Sequence, residues 1–416
     1  MSLSSPQTDS ASLLHASPKA WRLAYFVSHP IQYQAPLLRQ IAESHDFDFK
    51  TYFFSDLSLR PYMDEGFGVA VTWDIPLTEG YDHEVLPALR NKGGLSFADP
   101  LCRGILKRLE EGNFDAIWLH GYHTLNHLHV LMAAKTLRIP VFLRTDSTLI
   151  DRSRSKATLA SKAVFFELLS STVAGILTVS EANAAYWQKY LPDTAQFPMP
   201  YAVDNDFFRE RTLEAAPQRD ELRLSLGLEP NRPVILFASK LQERKRCIDL
   251  VEAHLKVCAH KAPTERPYLL IVGDGEERAR IETRIQSAHA SADIRILGFQ
   301  NQTELPRYFD LCNVFVLPSV HEPYGLIVNE VMNAGRAIIL SDEVGCRDDL
   351  IEHGVSGMIF KATDIEALAT AIRYTLDSPE RMESMGKKAL EHIEQYNFER
   401  DVVGLRSGLA ALCPKA

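Results

Sequence analysis

At 416 residues the chain exceeds the usual size of a single hydrophobic core, so two domains are expected. Hydrophobic residues make up 46% and charged residues 24%, a globular composition with ample material for a core. The net charge of −9 excludes a general nucleic-acid binder, which needs a basic surface to meet phosphates. Six cysteines, at 102, 247, 258, 312, 346 and 413, form no C-x-x-C pair, so no zinc or thioredoxin-like motif is indicated. Scattered thiols fit a reducing, cytoplasmic setting. Residues 1–20 are Ser-rich without an apolar run and read as a mobile tail, not a secretory signal. No stretch of the chain is apolar for long enough to span a bilayer.

Short apolar runs then recur in chain order: LAYFVS (23–28), DAIWLH (115–120), PVFLR (140–144) and GILTVS (175–180). A second series follows: PVILFAS (233–239), YLLIVGDG (268–275), IRILGF (294–299), NVFVLPS (313–319) and AIILSD (337–342). Such runs suit strands buried on both faces, and helical patterns between them imply parallel sheets covered on both sides. APLLRQIAE (35–43) reads as the first of these helices. TDIEALATAIRYTL (363–376) is apolar at 365, 368, 369, 372 and 376, a helical period, with Thr363 and Glu366 placed as a capping box. The charged, proline-bearing stretch 203–232 separates the two series, giving two doubly wound α/β halves with a cleft between them.

HEPYGLIVNEVMNAG (321–335) follows the strand NVFVLPS and carries the clearest chemistry. Pro323 and Gly325 suit a turn, LIVNEVMNA a helix, and Gly335 its end. The open N–H groups near Gly325, Leu326 and Ile327 would form an anion site at a strand's C-terminal end. Glu322 precedes the helix and Glu330 lies inside it among apolar neighbours, where packing gives no reason for a charge. The structural alternative is that Glu322 complements the helix terminus and Glu330 faces solvent. VGDGEER (272–278) fits G-x-G, but its sixth position is Arg278, so it reads as a tight strand-to-helix turn and not a dinucleotide fingerprint.

With its two glutamates eight positions apart in PSVHEPYGLIVNEVMNAGRAIILSD, the sequence resembles the family 4 glycosyltransferases, which have the GT-B fold. The resemblance implies that Glu322 contacts the donor sugar and Glu330 holds the ribose hydroxyls, with Tyr324 and Phe299 also at the donor. FASKLQERK (237–245) is similar to the family's phosphate loop, which makes Ser239 a donor contact and Lys240 and Lys245 the phosphate-binding cations. IVGDGEER, ILGFQN and YNFER (396–400) also match in place. Two features depart from the pattern. The first basic position is Lys240 where arginine is commoner, preceded by Ser239 where glycine is common. The glycine-rich loop after the first strand is replaced by SHPIQYQAPLL (28–38).

The resemblance further implies an N-terminal acceptor domain at 21–205, a C-terminal donor domain at 206–395, and a helix at 396–416 crossing back to the first. His120, ending the strand DAIWLH, takes the place of a family histidine that touches the donor sugar, with His123, His127 and His129 as competitors. The resemblance also implies that RTDS (144–147), with Asp146, is an acceptor-facing segment, and His29 and Gln32 after the first strand face the same cleft by the strand-end rule. RSRSKATLASKAVFF (152–166) reads either as an ordinary packed helix or as a surface for anionic lipids.

The expected activity is retaining transfer of a hexose from a UDP- or GDP-sugar, UDP-glucose for example, to an acceptor hydroxyl. The acceptor would be a glycan, a lipid-linked glycan or a small molecule in bacterial glycoconjugate synthesis. No metal or other cofactor is expected, since no D-x-D motif is present. The alternatives are a nucleotide-sugar 2-epimerase of the same fold, a non-catalytic nucleotide-sugar binder, and a glycosidase using the two glutamates.

Overall fold

The structure is a computed structural model that describes residues 20–149 and 165–415. A seven-stranded parallel sheet carries the first body: β1 (Trp21–Val27), β2 (Phe47–Phe53), β3 (Asp82–Val85), β4 (Ala116–His120), β5 (Val141–Thr145), β6 (Val173–Thr178) and β7 (Ala195–Pro198). Its order is β7-β6-β5-β4-β1-β2-β3, with every pairing parallel. The second sheet has six parallel strands: β8 (Val234–Ala238), β9 (Tyr268–Val272), β10 (Ile294–Gly298), β11 (Val314–Leu317), β12 (Ala337–Ser341) and β13 (Gly357–Phe360). These run in the order β10-β9-β8-β11-β12-β13.

Alternation explains the unbroken apolar runs. Leu23, Tyr25 and Val27 of β1 pack with helix α1 (Ala35–Glu43), whereas Ala24 and Phe26 pack on the opposite face with helix α2 (Leu125–Leu137). A strand covered on both faces has no polar side to show. The strands absent from the sequence expectation lie mostly at sheet edges, β3, β7 and β13, or alternate, as FDFKTYF does in β2.

The stretch 203–232 is helical, not an open linker: Asn205–Ala215 and Arg219–Ser225 are helices, and Phe208 is buried in the second core. The expected capping box is shifted by one residue. Asp364 caps the helix Ile365–Leu376 by accepting from the Ala367 N–H at 2.9 Å, while Thr363 sits at φ +66°. Glu366 instead pairs with Lys256 and Arg373.

The final helix, α3 (Phe398–Leu412), lies on the first sheet with Phe398, Val402, Leu405 and Leu409 buried among Tyr25, Trp118 and Phe142. Each such side chain contributes about 1.5–3 kcal/mol relative to exposure. Arg144 of β5 donates to Asp401 of this helix at 3.2 Å and to the carbonyls of Met199 and Pro200, with both ion-pair partners 1% exposed. Burial pushes the Asp401 carboxyl up to about 7, against the pull of Arg144. The lipid-surface expectation for 152–166 falls largely outside the described residues; Phe165 and Phe166 themselves stack on Tyr122 and Tyr190. Among the described residues no helix is long and apolar enough to cross a membrane.

Candidate active site

A cavity of about 400 Å³ opens between the two bodies, at the C-terminal ends of β8, β9, β10 and β11. The strands of a parallel sheet all end on this edge, so the loops that follow them converge there. Ser239, Lys240, Arg244 and Lys245 come from the loop after β8, Gly273 from that after β9, and Phe299, Gln300 and Gln302 from that after β10. Glu322, Gly325, Leu326, Ile327 and Glu330 follow β11.

Backbone bonds lock these loops together. Ser239 N–H donates to the Val272 carbonyl at 3.1 Å, Leu241 to Asp274 at 2.8 Å and Gly273 to Gly298 at 2.8 Å. A side chain at Gly273, whose φ is +137°, would place its Cβ 1.9 Å from the Ser239 carbonyl. The glycines of VGDGEER therefore serve the close approach of the Lys240 loop. That is a tight turn, as the sequence indicates, and its tightness shapes the cavity floor.

Lys245 is buried and its ammonium donates to the Glu322 carboxylate; Arg244 donates to the same oxygen at 3.2 Å. Burial lowers the Lys245 pKa, and the adjacent Glu322 charge partly restores it. Glu330, on the short helix Ile327–Met332, stands apart. Its Oε2 has no hydrogen-bond partner, and enclosure pushes the carboxyl up to about 8. Gln302 likewise leaves its buried side-chain carbonyl oxygen unpartnered at the cavity wall. A buried acceptor without a donor costs free energy until something supplies one.

The first body closes the cavity with Gln32 and with a hairpin, Tyr62–Asp64 paired to Val69–Val71, that brings Tyr62, Asp64, Phe67 and Trp73 to the rim. Lys240 donates to both Asp64 oxygens, at 2.8 and 3.0 Å. Phe67 meets Phe299 edge to face at 4.8 Å. Only the turn chemistry of DEGFG hints at this hairpin in the sequence, and its partners are far away in the chain.

Of the residues singled out from sequence, Glu322, Lys240, Lys245, Glu330, Ser239, Gly325, Leu326, Ile327, Phe299 and Gln32 all line this cavity. Tyr324 does not: its ring is buried, and its hydroxyl donates to the Tyr201 carbonyl at 3.0 Å, so it joins the two bodies behind the site. His120 is also outside the lining. Its ring lies within hydrogen-bond reach of the Gln34 amide, at 3.1 Å, and of the Tyr201 hydroxyl, at 3.4 Å. Burial, then Arg144, holds its pKa well below the usual histidine range. Of its competitors, His127 serves α2, its ring bonding the Thr124 cap and the His120 carbonyl. His29 bonds Ser28 at 2.8 Å and is pushed down to about 4 by burial. Asp146 follows β5 on the cleft side, where its side chain is exposed to solvent yet has its pKa raised by the surrounding protein and then by the Glu322 charge. His29, His120 and Asp146 thus stand apart from the cavity lining, on the side of the first body. Among the described residues no cluster of three or more His, Cys, Asp or Glu side chains is placed to hold a metal ion.

Residues 218–392 match the family model described as glycosyl transferases group 1. The chain is 30% identical over 186 residues to an alpha-D-kanosaminyltransferase of Streptomyces kanamyceticus, covering 44% of this chain and 46% of that protein. It is 28% identical over 207 residues to a sulfoquinovosyl transferase of Arabidopsis thaliana, covering 49% and 38%. These matches span less than half the length of either relative. Whole-chain likeness comes from structure. Sucrose-phosphate synthase of Thermosynechococcus elongatus superposes with a TM-score of 0.69 at 18% identity, covering 94% of this chain and 99% of that one. Anabaena HepE in complex with UDP superposes at 0.70 and 17%, covering 94% and 100%. At such identities the likeness establishes the fold, which is GT-B. Residues 218–392 thus resemble the glycosyl transferases group 1, and the chain as a whole has the GT-B fold.

Proposed function

We propose that the chain is a retaining glycosyltransferase that moves a hexose from a UDP- or GDP-linked donor to an acceptor hydroxyl without a metal ion. The observation that carries this reading is one cavity holding three cations, Lys240, Arg244 and Lys245, and an unpartnered acid, Glu330. A diphosphate needs the first and a pair of ribose hydroxyls the second. HepE has been crystallised with UDP-glucose, and the matched relatives are glycosyltransferases by name, which supports the same reading.

In transfer the C1–O bond of the donor breaks with its electron pair left on the diphosphate, the bond to the acceptor oxygen forms on the same face, and the acceptor's O–H proton passes to the departing diphosphate oxygen. Negative charge grows on the outer phosphate as the bond breaks. Lys245, already fixed by Glu322, places positive potential there with little reorganisation, and Lys240 adds to it once it meets the diphosphate. Glu322, held by Lys245 and Arg244, is oriented for the sugar hydroxyls. The acceptor, a glycan, lipid-linked glycan or small alcohol, would enter from the first body, past His29, His120 and Asp146.

A thermal-shift screen of UDP- and GDP-hexoses identifies the donor, because a ligand bound only by the folded state raises its stability. Incubation of that donor with acceptor alcohols in EDTA, followed by proton NMR, then reads the product. Transfer with the donor's anomeric configuration is expected. Inverted configuration, or dependence on added metal, would refute the proposal. Conversion of the sugar without acceptor would assign an epimerase instead.

A further inference from the structure

Lys240 is not free to meet an anion. Its ammonium is held by both oxygens of Asp64, at 2.8 and 3.0 Å, a partner 176 residues earlier and in the other body. The contact is built, not incidental. Asp64 Oδ1 also accepts from the backbone N–H groups of Gly66 and Phe67, each at 2.9 Å, which fixes the carboxylate on its turn. The Phe67 ring centroid lies 4.7 Å from the Lys240 ammonium and 4.8 Å from that of Phe299. Space is equally restricted: a Cβ at Gly66 would come within 2.7 Å of Lys240 Cδ, and one at Gly275 within 2.9 Å of the Gly66 carbonyl. Farther along, Asn301 donates to the Thr72 carbonyl at 2.6 Å, and the Thr303 N–H to Asp74 at 3.2 Å. One segment of the first body, residues 62–74, is thus fastened along the rim of the donor cavity.

Resting on the donor reading above, we infer that Asp64 is a built-in competitor of the donor: its carboxylate occupies the diphosphate's place on Lys240, and the diphosphate must displace it to bind. Asp64 and Lys240 are 13% and 33% exposed at their side chains, so the pair is partly shielded and its charges count. An incoming diphosphate gains Lys240 but meets the Asp64 charge beside it, and like charges in a confined site are costly. Neutral ligands neither gain the ammonium nor suffer the repulsion. Asp64 therefore weakens every anion while leaving the base and ribose contacts untouched, and it couples phosphate binding to the 62–74 segment.

Calorimetric titrations of the full chain test this, with UDP and GDP, their nucleosides and inorganic pyrophosphate as probes. In Asp64→Asn, which preserves the side chain's shape and its acceptor for the Gly66 and Phe67 N–H groups, the nucleoside diphosphate and pyrophosphate should bind roughly 5-fold or more tightly. Nucleoside affinity should not change. The gain should vanish when Asp64→Asn is combined with Lys240→Met. Equal tightening of nucleoside and diphosphate would mean that the substitution merely loosens the rim, and would overturn the inference. So would unchanged or weaker diphosphate binding. Failure of the wild type to bind either nucleoside diphosphate would instead remove the donor reading itself, and this inference with it.

Discussion

Glu330 is the acid of the cavity that no cation neutralises, and its carboxyl sits at about 8 against an ordinary 4.5 because of burial. A carboxyl whose pKa is higher in the fold than in the unfolded chain contributes fully below about 4.5, and that contribution is lost as pH rises through about 8. Glu330→Gln should therefore gain stability relative to wild type across that window, read by urea unfolding at several pH values; a pH-independent difference would contradict the buried, unpaired state. Lys245 carries a different burden. Lys245→Ala should lower turnover by about 10²–10³ while weakening donor binding much less, since the charge it meets grows as the bond breaks. Equal losses in kcat and in donor affinity would place its effect in the ground state. Glu322, Glu330 and Lys245 were legible in the sequence because each belongs to a short local motif whose strand and helix could be placed. Asp64 was not, because its meaning comes from a lysine 176 positions away. Tyr324 shows the opposite error: it lies inside the motif, yet its side chain turns to Tyr201 and not to the cavity.

Among elements, apolar runs identified most central strands of both sheets, since a strand covered on both faces has an unambiguous composition. Edge strands and caps were harder, because their polar atoms are satisfied by particular neighbours. The start of Ile365–Leu376 illustrates this. Asp364→Ala should cost about 0.5–2 kcal/mol, the loss of a helix cap, whereas Thr363→Gly, at φ +66°, should cost nothing or stabilise. The reverse ranking in denaturant unfolding would restore Thr363 as the cap. Helix α3 holds to the first sheet through apolar packing and the Arg144–Asp401 pair. Asp401→Ala leaves a guanidinium buried without its counter-ion and should destabilise the protein by about 3–5 kcal/mol. A loss below about 1 kcal/mol in equilibrium unfolding would show that the Met199 and Pro200 carbonyls suffice for Arg144.

At the scale of the whole molecule, the two-sheet architecture and its cleft follow from two series of apolar runs, but the way the bodies meet does not. Their meeting depends on Asp64, Phe67, Thr72 and Asp74 reaching the loops after β8 and β10, contacts between segments with no shared local pattern. The Asp64–Lys240, Phe67–Phe299 and Thr72–Asn301 contacts bridge the cleft, and on the proposed reading the donor exchanges for one of them at the rim. What the molecule is for rests on that cavity accepting a nucleoside diphosphate sugar through Glu330 and the cations opposite it. The most direct measurement is a calorimetric titration of wild type and Glu330→Ala with UDP- and GDP-hexoses in EDTA. A single site for at least one of these donors, weakened by about 1–3 kcal/mol in the variant, is expected from the loss of the Glu330 hydrogen bonds to the ribose. No binding by wild type, binding that EDTA abolishes, or equal affinity in the variant would contradict it.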